Sequence, residues 1–252
     1  MDVPQRLVIT GGARGIGAVA TKAFVQSGAK VVIFDRREGE AEHLMTLLGA
    51  ESCRFIKCDV TSSAEVSRAM ANAVDWLGGL DVLINVAGLD RPASAEDMTE
   101  ADWDLVMNTN AKGAMLTNKA ALQHMRAAGG RIINFTSIYG VRGGADRAAY
   151  SAAKAAIIGW TRAAARDWGR FNITVNAIAP IMATEVANKS IALLSEQEQH
   201  DLHATLQREI PLGGRMGDVE RDLVPMLILL AGTGGSYITG QVINVDGGML
   251  IG

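Results

Sequence analysis

The sequence predicts an α/β fold in three layers, in which helices cover both faces of a doubly wound parallel sheet of seven strands. Two observations predict it. Short apolar runs rich in β-branched residues alternate with amphipathic stretches, and these runs are nearly continuous, as in strands buried on both faces. Parallel strands require crossover helices, which the alternation supplies. The 252 residues suit one such sheet, so we expect a single domain over residues 1–252.

The first half of the chain is predicted to contain four strands and three helices. The hydroxyls of Ser62 and Ser63 suit a helix N-terminus, which sets the start of the third helix. The predicted strands span residues 7–10, 30–34, 53–58 and 80–86. The predicted helices span residues 15–27, 40–48 and 64–77.

The second half has longer segments. A pattern typical of a capping box, Thr99 to Asp102, predicts a long helix that continues toward residue 128. Residues 182–209 depart from the alternation, and we expect there a mobile insertion that acts as a substrate lid. The remaining predicted strands are 131–135, 173–178 and 241–245, and the remaining helices are 148–168 and 219–230.

Composition excludes several classes of protein. The net charge of −3 provides no basic field for phosphates, so nucleic acid is not an expected partner. The longest apolar stretch, residues 223–231, has about half of the roughly 18 residues that a membrane span needs. The N-terminus lacks the charged and apolar regions of a signal peptide. We therefore expect a cytoplasmic protein that does not bind membranes.

No metal site is expected. Cys53 and Cys58 lie five residues apart in a predicted strand, roughly 16 Å from each other and on opposite faces, so they cannot form a disulfide. His200 and His203 share a helical face beside Glu196 but have no further ligand. We interpret the two thiols as buried small hydrophobic groups in a reducing compartment.

A glycine-rich turn joins the first strand to the first helix. Gly11, Gly15 and Gly17 surround Arg14 and Ile16 where a dinucleotide pyrophosphate would meet backbone N–H groups at a helix N-terminus. A glycine turn can also serve only close packing of strand and helix. Asp35, 18 residues beyond Gly17, favours the binding interpretation because an acidic residue there accepts hydrogen bonds from the adenosine ribose hydroxyls.

Asp35 also favours NAD over NADP, since a carboxylate repels a 2′-phosphate. Arg36 and Arg37 follow it directly, and a guanidinium is the usual partner of that phosphate. The same two arginines are equally compatible with solvated charges on a loop. We expect NAD as the cofactor, with NADP the less favoured alternative.

Tyr150, Lys154 and Ser137 form the candidate catalytic group. Tyr150 and Lys154 lie four residues apart and share one helical face. Ser137 follows the strand at 131–135, at the sheet edge where open α/β folds bind ligands. A free phenol has a pKa near 10, so a tyrosine that acts as a base needs its phenolate stabilised, which Lys154 and a nicotinamide cation can do.

Taken in order, these motifs resemble those of the short-chain dehydrogenase/reductase family, over essentially the whole chain. Asp59, the segment Asn85-Val86-Ala87-Gly88, Asn110, and Pro180 with Thr184 extend the resemblance. It implies a Rossmann fold, an NAD(P)-dependent reaction and a homotetramer. The family usually has asparagine at the position of Val86 and glycine at that of Ile181, which gives the nicotinamide room.

The resemblance also implies a role for each matching residue. Asp59 and Val60 would contact the adenine, Asn85, Ala87 and Gly88 would lie along the cofactor, and Pro180, Ile181 and Thr184 would hold the nicotinamide. Lys154 would bind the nicotinamide ribose, and Asn110 would hold a water in a proton relay. Ser137 would hydrogen-bond the substrate oxygen while Tyr150 transfers its proton. Asp59 could instead be a helix-start carboxylate, Asn110 a helix brace, and Ser137 a partner for a strand-end carbonyl.

The implied reaction transfers a hydride between NAD(H) and a secondary alcohol or ketone. Apolar residues in the loops beyond the strands, such as Ile138 and Val141, indicate a substrate with a hydrophobic body. Arg91, Arg142 and Arg147 could anchor an anion or be solvated. Two alternatives stay open: a ketoreductase resembling 3-oxoacyl-(acyl-carrier-protein) reductase, and an NAD-binding regulator or scaffold, which would be expected to lose Tyr150, Lys154 or Ser137.

Overall fold

The computed structural model describes residues 6–250. Its centre is a parallel sheet of seven strands, and two further strands of two residues pair with each other beside it. In chain order the strands are β1 (Arg6–Thr10), β2 (Lys30–Asp35), β3 (Cys53–Lys57), β4 (Val82–Asn85), β5 (Gly130–Phe135), β6 (Ile173–Pro180), β7 (Met182–Ala183), β8 (Gly217–Asp218) and β9 (Val242–Val245).

Helices connect these strands. In chain order they are α1 (Gly15–Gln26), α2 (Glu38–Leu48), α3 (Ser63–Leu77), α4 (Glu100–Met107), α5 (Gly113–Met125), α6 (Ile138–Arg142), α7 (Ala148–Trp168), α8 (Glu185–Ala192), α9 (Glu196–Glu209) and α10 (Val224–Ala231). Two π-helical turns, Asn108–Lys112 and Val219–Leu223, precede α5 and α10.

The sheet order is β3-β2-β1-β4-β5-β6-β9, with every neighbouring pair parallel. The chain winds outward from β1 to β3 and then returns to place β4 on the other side of β1. Thr10 pairs with Asn85 at the carboxyl ends of β1 and β4, where this reversal opens the crevice in which open α/β sheets bind ligands. The predicted doubly wound parallel sheet is confirmed.

Each face of the sheet has its own apolar core. On one face Val8 and Leu83 pack with Met70 of α3 and Trp168 of α7, and on the other Ile9 packs with Phe24 of α1. Cys58 belongs to the first face, whereas Cys53 packs on the α2 side. Both thiols are buried and unpaired, as predicted. Burial raises the pKa of Cys53 to about 11 and that of Cys58 to about 12, which keeps them protonated.

Several helix boundaries follow from local chemistry. Ser62 caps α3 by accepting from the amide of Glu65, and Gly78 ends it in the left-handed conformation. Thr99 caps α4 by accepting from the amide of Asp102, as the sequence pattern predicts. The long helix predicted after Thr99 is confirmed, because α4, the π-turn at Asn108–Lys112 and α5 follow one another without a break from Glu100 to Met125. The π-turn within it was not predicted, and the helix ends before the predicted residue 128.

Residues 182–209 are folded rather than irregular. β7 pairs with β8, α8 begins at the Thr184 cap, and α9 begins at a capping box formed by Ser195 and Glu198. The polar run that suggested an insertion is therefore the start of α9. Among the helices within residues 6–250, none is long and apolar enough to cross a membrane.

Candidate active site

The glycine turn brings the backbone close to itself and leaves the start of α1 open. Gly11 has a φ of 65° and Gly15 a φ of 54°, both in the left-handed region. A Cβ at Gly17 would lie 2.1 Å from the carbonyl oxygen of Gly11, so only glycine fits there. Beside Gly15 a Cβ would meet nothing within 4 Å, and the Arg14 side chain does not cap α1. This turn therefore fits a pyrophosphate on the first amides of α1.

Asp35 ends β2 facing the glycine turn. Its carboxylate accepts from the backbone N–H of Ala13 at 3.3 Å, Arg36 at 2.8 Å and Arg37 at 3.1 Å. The two guanidiniums turn to other acidic groups: Arg36 lies 3.6 Å from Asp59, and Arg37 lies 3.3 Å from Glu40. Both cations next to Asp35 are thus paired with carboxylates.

Asp59 follows β3 at the same edge of the sheet. One of its oxygens accepts from the backbone N–H and the hydroxyl of Thr61, at 2.9 and 2.8 Å. Burial raises the pKa of Asp59, but the hydrogen bonds from Thr61 and the charge of Arg36 outweigh it and lower the pKa overall. Val60 is buried beneath Gly113, where a Cβ would approach its side chain to 2.9 Å.

Asn85 is bound to the protein interior. Its oxygen accepts from the Thr117 hydroxyl at 2.7 Å and the Thr10 hydroxyl at 3.3 Å, and its amide donates to Asn134 at 3.0 Å. The side chain thus braces the sheet below the cofactor crevice. The backbone N–H of Ala87 donates to the Thr10 hydroxyl at 3.2 Å, which holds the following turn in place.

The π-turn aims Asn110 toward Lys154. The Asn110 amide donates to the carbonyl oxygens of Leu89 at 2.8 Å and Val106 at 2.9 Å, while its side-chain oxygen is buried with no hydrogen-bond partner among the described residues. A Cβ at Gly88 would lie 2.4 Å from that oxygen and 3.5 Å from Lys154 Nζ. Asn110 and Lys154 therefore border one narrow space, and the orphaned oxygen fits a bound water.

Ser137, Tyr150 and Lys154 converge beyond the end of β5. Ser137 caps the short helix α6 by accepting from the amide of Tyr139 at 3.2 Å. The predicted helix over residues 148–168 is confirmed as α7, and it brings Lys154 Nζ to 5.4 Å from the centre of the Tyr150 ring. Tyr139 packs edge-on against Tyr150, with ring centres 6.4 Å apart. Helix α6 was not predicted.

The electrostatics of this group differ from the expectation. Burial and the charge of Asp90 raise the pKa of Tyr150 to about 12, and a hydrogen bond with Ser137 offsets only part of that rise. Burial lowers the pKa of Lys154 to about 8, against an opposing effect of Asp90. The groups of the chain therefore favour a neutral phenol, although we expected Lys154 to lower the pKa of that phenol.

Residues 180–184 lie at the carboxyl end of β6. The amide of Ile181 donates to Val245 at 3.0 Å, and its carbonyl accepts from Gly217 at 2.9 Å, so this backbone is fixed between two strands. Pro180 ends β6, and the hydroxyl of Thr184 accepts from the amide of Ala187 at 3.1 Å. The branched side chain of Ile181 is accommodated without breaking the strand pairing.

A cleft of about 690 Å³ lies beside the glycine turn. Its lining includes Arg14 and Gly15 of that turn, His43 of α2, and Thr184 and Val219. Residues predicted to contact the pyrophosphate and the nicotinamide, Gly15 and Thr184, thus line the same cleft. Within residues 6–250, no three His, Cys, Asp or Glu side chains gather in a group that could hold a metal ion.

Each of the three arginines considered as anion anchors has an acidic partner. Arg91 lies 3.7 Å from Asp102, Arg142 lies 3.2 Å from Glu209 at the end of α9, and Arg147 lies 2.9 Å from Asp90. These pairs favour the solvated, structural interpretation of the arginines over an anion site. The Arg147–Asp90 pair was not anticipated, because a loop aspartate carries no motif signal in one sequence.

Comparison with known proteins gives a consistent assignment. A family model described as enoyl-(acyl carrier protein) reductase matches residues 11–250. Carbonyl reductase family member 4 of Danio rerio is 37% identical over 243 residues, which cover 96% of each chain. 3-Oxoacyl-(acyl-carrier-protein) reductase FabG of Chlamydia trachomatis is 36% identical over 251 residues, which cover 98% of each chain. 2-(S)-Hydroxypropyl-CoM dehydrogenase 3 of Xanthobacter autotrophicus is 35% identical over 246 residues, covering 96% of this chain and 95% of its own. From both its fold and these relatives, this chain belongs to the short-chain dehydrogenase/reductase family, whose members are oxidoreductases that use NAD or NADP.

Proposed function

We propose that this protein is an NAD(H)-dependent oxidoreductase that interconverts a secondary alcohol and a ketone, with Tyr150 as the proton-transfer group. The observation that carries the proposal is the convergence of Ser137, Tyr150 and Lys154 beyond the end of β5, beside a glycine turn that fits a pyrophosphate. A buried lysine at such a point is costly unless the site uses its charge, which supports a functional rather than a packing role.

The chain supplies the proton chemistry. In reduction, the neutral phenol of Tyr150 donates its proton to the substrate oxygen, which Ser137 holds by a hydrogen bond. A phenol whose pKa is raised to about 12 is protonated at neutral pH, so Tyr150 is in the form that can act as the general acid in reduction. In oxidation the same oxygen must first lose its proton, which the charge of Arg147 and the hydrogen bond with Ser137 favour, and the ammonium of Lys154 lies 5.4 Å from the centre of the Tyr150 ring.

A nicotinamide dinucleotide, when bound, supplies or accepts the hydride of this reaction. Its proposed protein contacts are the glycine turn for the pyrophosphate, Asp35 for the adenosine ribose, Asp59 and Val60 for the adenine, and Ala87 and Gly88 along the ribose. Lys154 would hold the nicotinamide ribose, and Pro180, Ile181 and Thr184 would hold the nicotinamide. Asn110 is proposed to keep a water beside Lys154 through its unpartnered oxygen.

Asp35 supports NAD over NADP. Its oxygens face the glycine turn, where a 2′-phosphate would meet a negative charge. Arg36 and Arg37, the cations that could reverse this preference, are already paired with Asp59 and Glu40. An exposed arginine can change partners, so the cofactor ratio of the enzyme is the decisive measurement.

The second candidate is a 3-oxoacyl-(acyl-carrier-protein) reductase. The similarity to the Chlamydia protein of that name, over nearly the whole of both chains, favours it. Under this alternative the ketone is a thioester of a 3-oxo acid, and NADPH competes with NADH. A regulator or scaffold that only binds NAD is a third candidate, from a different class.

One experiment separates these candidates. NADH and NADPH oxidation would be followed at 340 nm with aliphatic and aromatic ketones and with acetoacetyl-CoA, and NAD reduction with secondary alcohols and hydroxy acids. We expect turnover of ketones with NADH. Preferred turnover of the thioester with NADPH supports the reductase alternative. Binding of NADH, measured by calorimetry, without turnover of any substrate would support the scaffold and contradict our proposal.

Two broader expectations become proposals here. We propose that residues 1–252 form one catalytic domain in which residues 182–209 close over the substrate, with the Arg142–Glu209 pair linking the end of α9 to the end of α6. We also propose a homotetramer, supported by Trp103 and Leu105, which lie exposed on α4. Light scattering, which measures the molar mass in solution, tests the homotetramer on the wild type and on a Leu105→Arg variant. We expect the mass of four chains for the wild type and a smaller assembly for the variant. A monomeric wild type would contradict the proposal.

A further inference from the structure

The turn after β4 places the carboxylate of Asp90 beside the start of α7, the helix that carries Tyr150 and Lys154. Asp90 follows Leu89, whose carbonyl is held by the amide of Asn110, and Asp90 Oδ2 lies 2.9 Å from the Nε of Arg147. Arg147 is the residue directly before α7 and lies three residues before Tyr150, so the ion pair joins the turn after β4 to the start of α7. Leu89 itself packs in the small apolar cluster that includes Tyr150.

The Asp90–Arg147 pair is partly withdrawn from solvent. The side chains are 29% and 31% exposed, and Asp90 Oδ1 is buried without a hydrogen-bond partner among the described residues. A carboxylate oxygen in such surroundings is poorly screened, so its charge acts over several ångströms. The same turn runs close to Lys154, because a Cβ at Gly88, two residues before Asp90, would lie 3.5 Å from Lys154 Nζ.

We propose that Asp90 is a positioning residue that acts through its charge, keeping the phenol of Tyr150 protonated and the ammonium of Lys154 charged, so that the site is prepared to donate a proton to a ketone. Arg147 holds the carboxylate in place, and its charge favours the ionised form against the effect of burial. This inference rests on the proposed function for its catalytic meaning, although the charge coupling itself needs neither substrate nor cofactor.

The charged and titratable neighbours agree in sign with this role. Facing Tyr150, Asp90 and Tyr139 raise the pKa of the phenol, whereas Ser137 and Arg147 lower it. Facing Lys154, Asp90 opposes the effect of burial, which lowers the pKa of the ammonium.

Asp90 itself has mixed neighbours. Burial raises its pKa, against the charges of Arg147, Arg91 and Lys154 and a hydrogen bond from the amide of Arg91. Burial outweighs these three cations, so the pKa of Asp90 lies above its ordinary value and the cations only limit that rise. Asp90 is the acidic group whose charge acts on both Tyr150 and Lys154.

The test is a direct titration of Lys154 in the free enzyme. The protein is produced with ¹³Cε-labelled lysine, its spectrum is recorded from pH 6 to pH 10, and the Lys154 signal is assigned by its loss in Lys154→Met. We expect a wild-type midpoint near 8 and a decrease of about one pH unit in Asp90→Asn. Asp90→Glu, which restores the charge, should return the midpoint toward the wild-type value.

A matched control removes a similar ion pair elsewhere. Asp81 pairs with Arg6 at comparable exposure, at the opposite edge of the sheet, so Asp81→Asn should leave the Lys154 midpoint unchanged. Asp90→Ser serves as a second neutral variant should Asp90→Asn fail to fold. An unchanged or higher midpoint in the neutral Asp90 variants would overturn the proposal, as would an equal decrease in Asp81→Asn. Because no substrate is involved, failure of the proposed function would leave this result intact.

Discussion

Lys154 donates a hydrogen bond from its ammonium to the backbone carbonyl oxygen of Phe135, the last residue of β5, at 2.9 Å. The lysine side chain crosses from α7 to the sheet inside the protein, and the residue is only 4% exposed. The cation is thus held at the end of the strand that leads to Ser137. Such a position lowers the stability of the folded protein, because burial disfavours the charge.

The first prediction concerns this cost. Lys154→Met should stabilise the folded protein at pH 7 by up to about 3 kcal/mol, which corresponds to roughly 6–12 °C in Tm, while abolishing activity. The folded pKa of about 8 lies below the value of about 10.4 for an exposed lysine, so the unfolded chain binds more protons between these pH values. The loss of folding free energy caused by the buried charge of Lys154 is therefore at its maximum below about pH 8 and disappears above about pH 10.4.

Thermal unfolding of wild type and variant at pH 7 and pH 10 measures this difference. Lys22, an exposed lysine of α1, provides the matched control, and Lys22→Met should not show the same pH-dependent gain. A less stable Lys154→Met protein at pH 7 would mean that the hydrogen bond to Phe135 outweighs the burial of the charge.

The second prediction tests the proton donor. Tyr150→Phe removes the hydroxyl and keeps the ring, so kcat should fall by about 10²–10⁴-fold while NADH binding is retained. The neighbouring Tyr139, whose ring packs edge-on against Tyr150, supplies the control. In Tyr139→Phe, kcat should fall by less than about tenfold. Steady-state rates at saturating cofactor decide it, and Tyr150→Phe activity near that of wild type would reject Tyr150 as the proton-transfer group.

The third prediction concerns cofactor choice. Asp35→Ala should narrow the ratio of kcat/KM for NADH over NADPH by about tenfold, because the negative charge facing the adenosine ribose is lost. Glu38→Ala, which removes an exposed carboxylate that pairs with Lys57, should leave the ratio nearly unchanged. An equal ratio in wild type and Asp35→Ala would remove Asp35 from the specificity argument.

The fourth prediction uses two glycines with opposite surroundings. Gly17→Ala would push a methyl group against the Gly11 carbonyl, so it should lower the free energy of unfolding by about 1–3 kcal/mol and weaken NADH binding. Gly39→Ala in α2 meets nothing within 4 Å and should be neutral or stabilising by up to about 1 kcal/mol. Urea unfolding and cofactor titration measure both, and a fully stable Gly17→Ala protein would contradict the close approach.

Much of the fold could be predicted because its signals are local. The apolar runs that became β1 to β6 and β9 are long enough to identify, and α7 begins and ends at the predicted residues because Ala148–Trp168 is a strong helix-forming segment. The caps at Ser62 and Thr99 were visible for the same reason. β7 and β8 were missed because two-residue strands have no periodicity.

The candidate site was predictable in position but not in electrostatics. Spacing placed Ser137, Tyr150 and Lys154 together, since strand ends and helix faces follow from sequence. The raised pKa of Tyr150 depends on burial and on Asp90, which approaches from another part of the chain. Charges brought together by tertiary folding leave no local pattern, so the neutral phenol could not be anticipated.

The π-turn at Asn108–Lys112 has a consequence for the whole connection between β4 and β5. One extra residue in a helix advances its phase by about 100°, so the bulge lets α4 and α5 present different sides to the body of the protein. Deleting a single residue within this turn would restore a regular helix and rotate α4 against α5 by that angle. Either Asn110 would leave Lys154, or Trp103 and Leu105 would turn away from the surface on which they now lie exposed. One inserted residue thus allows a single continuous helix to place Asn110 beside Lys154 and, one turn or more earlier, to leave Trp103 and Leu105 exposed.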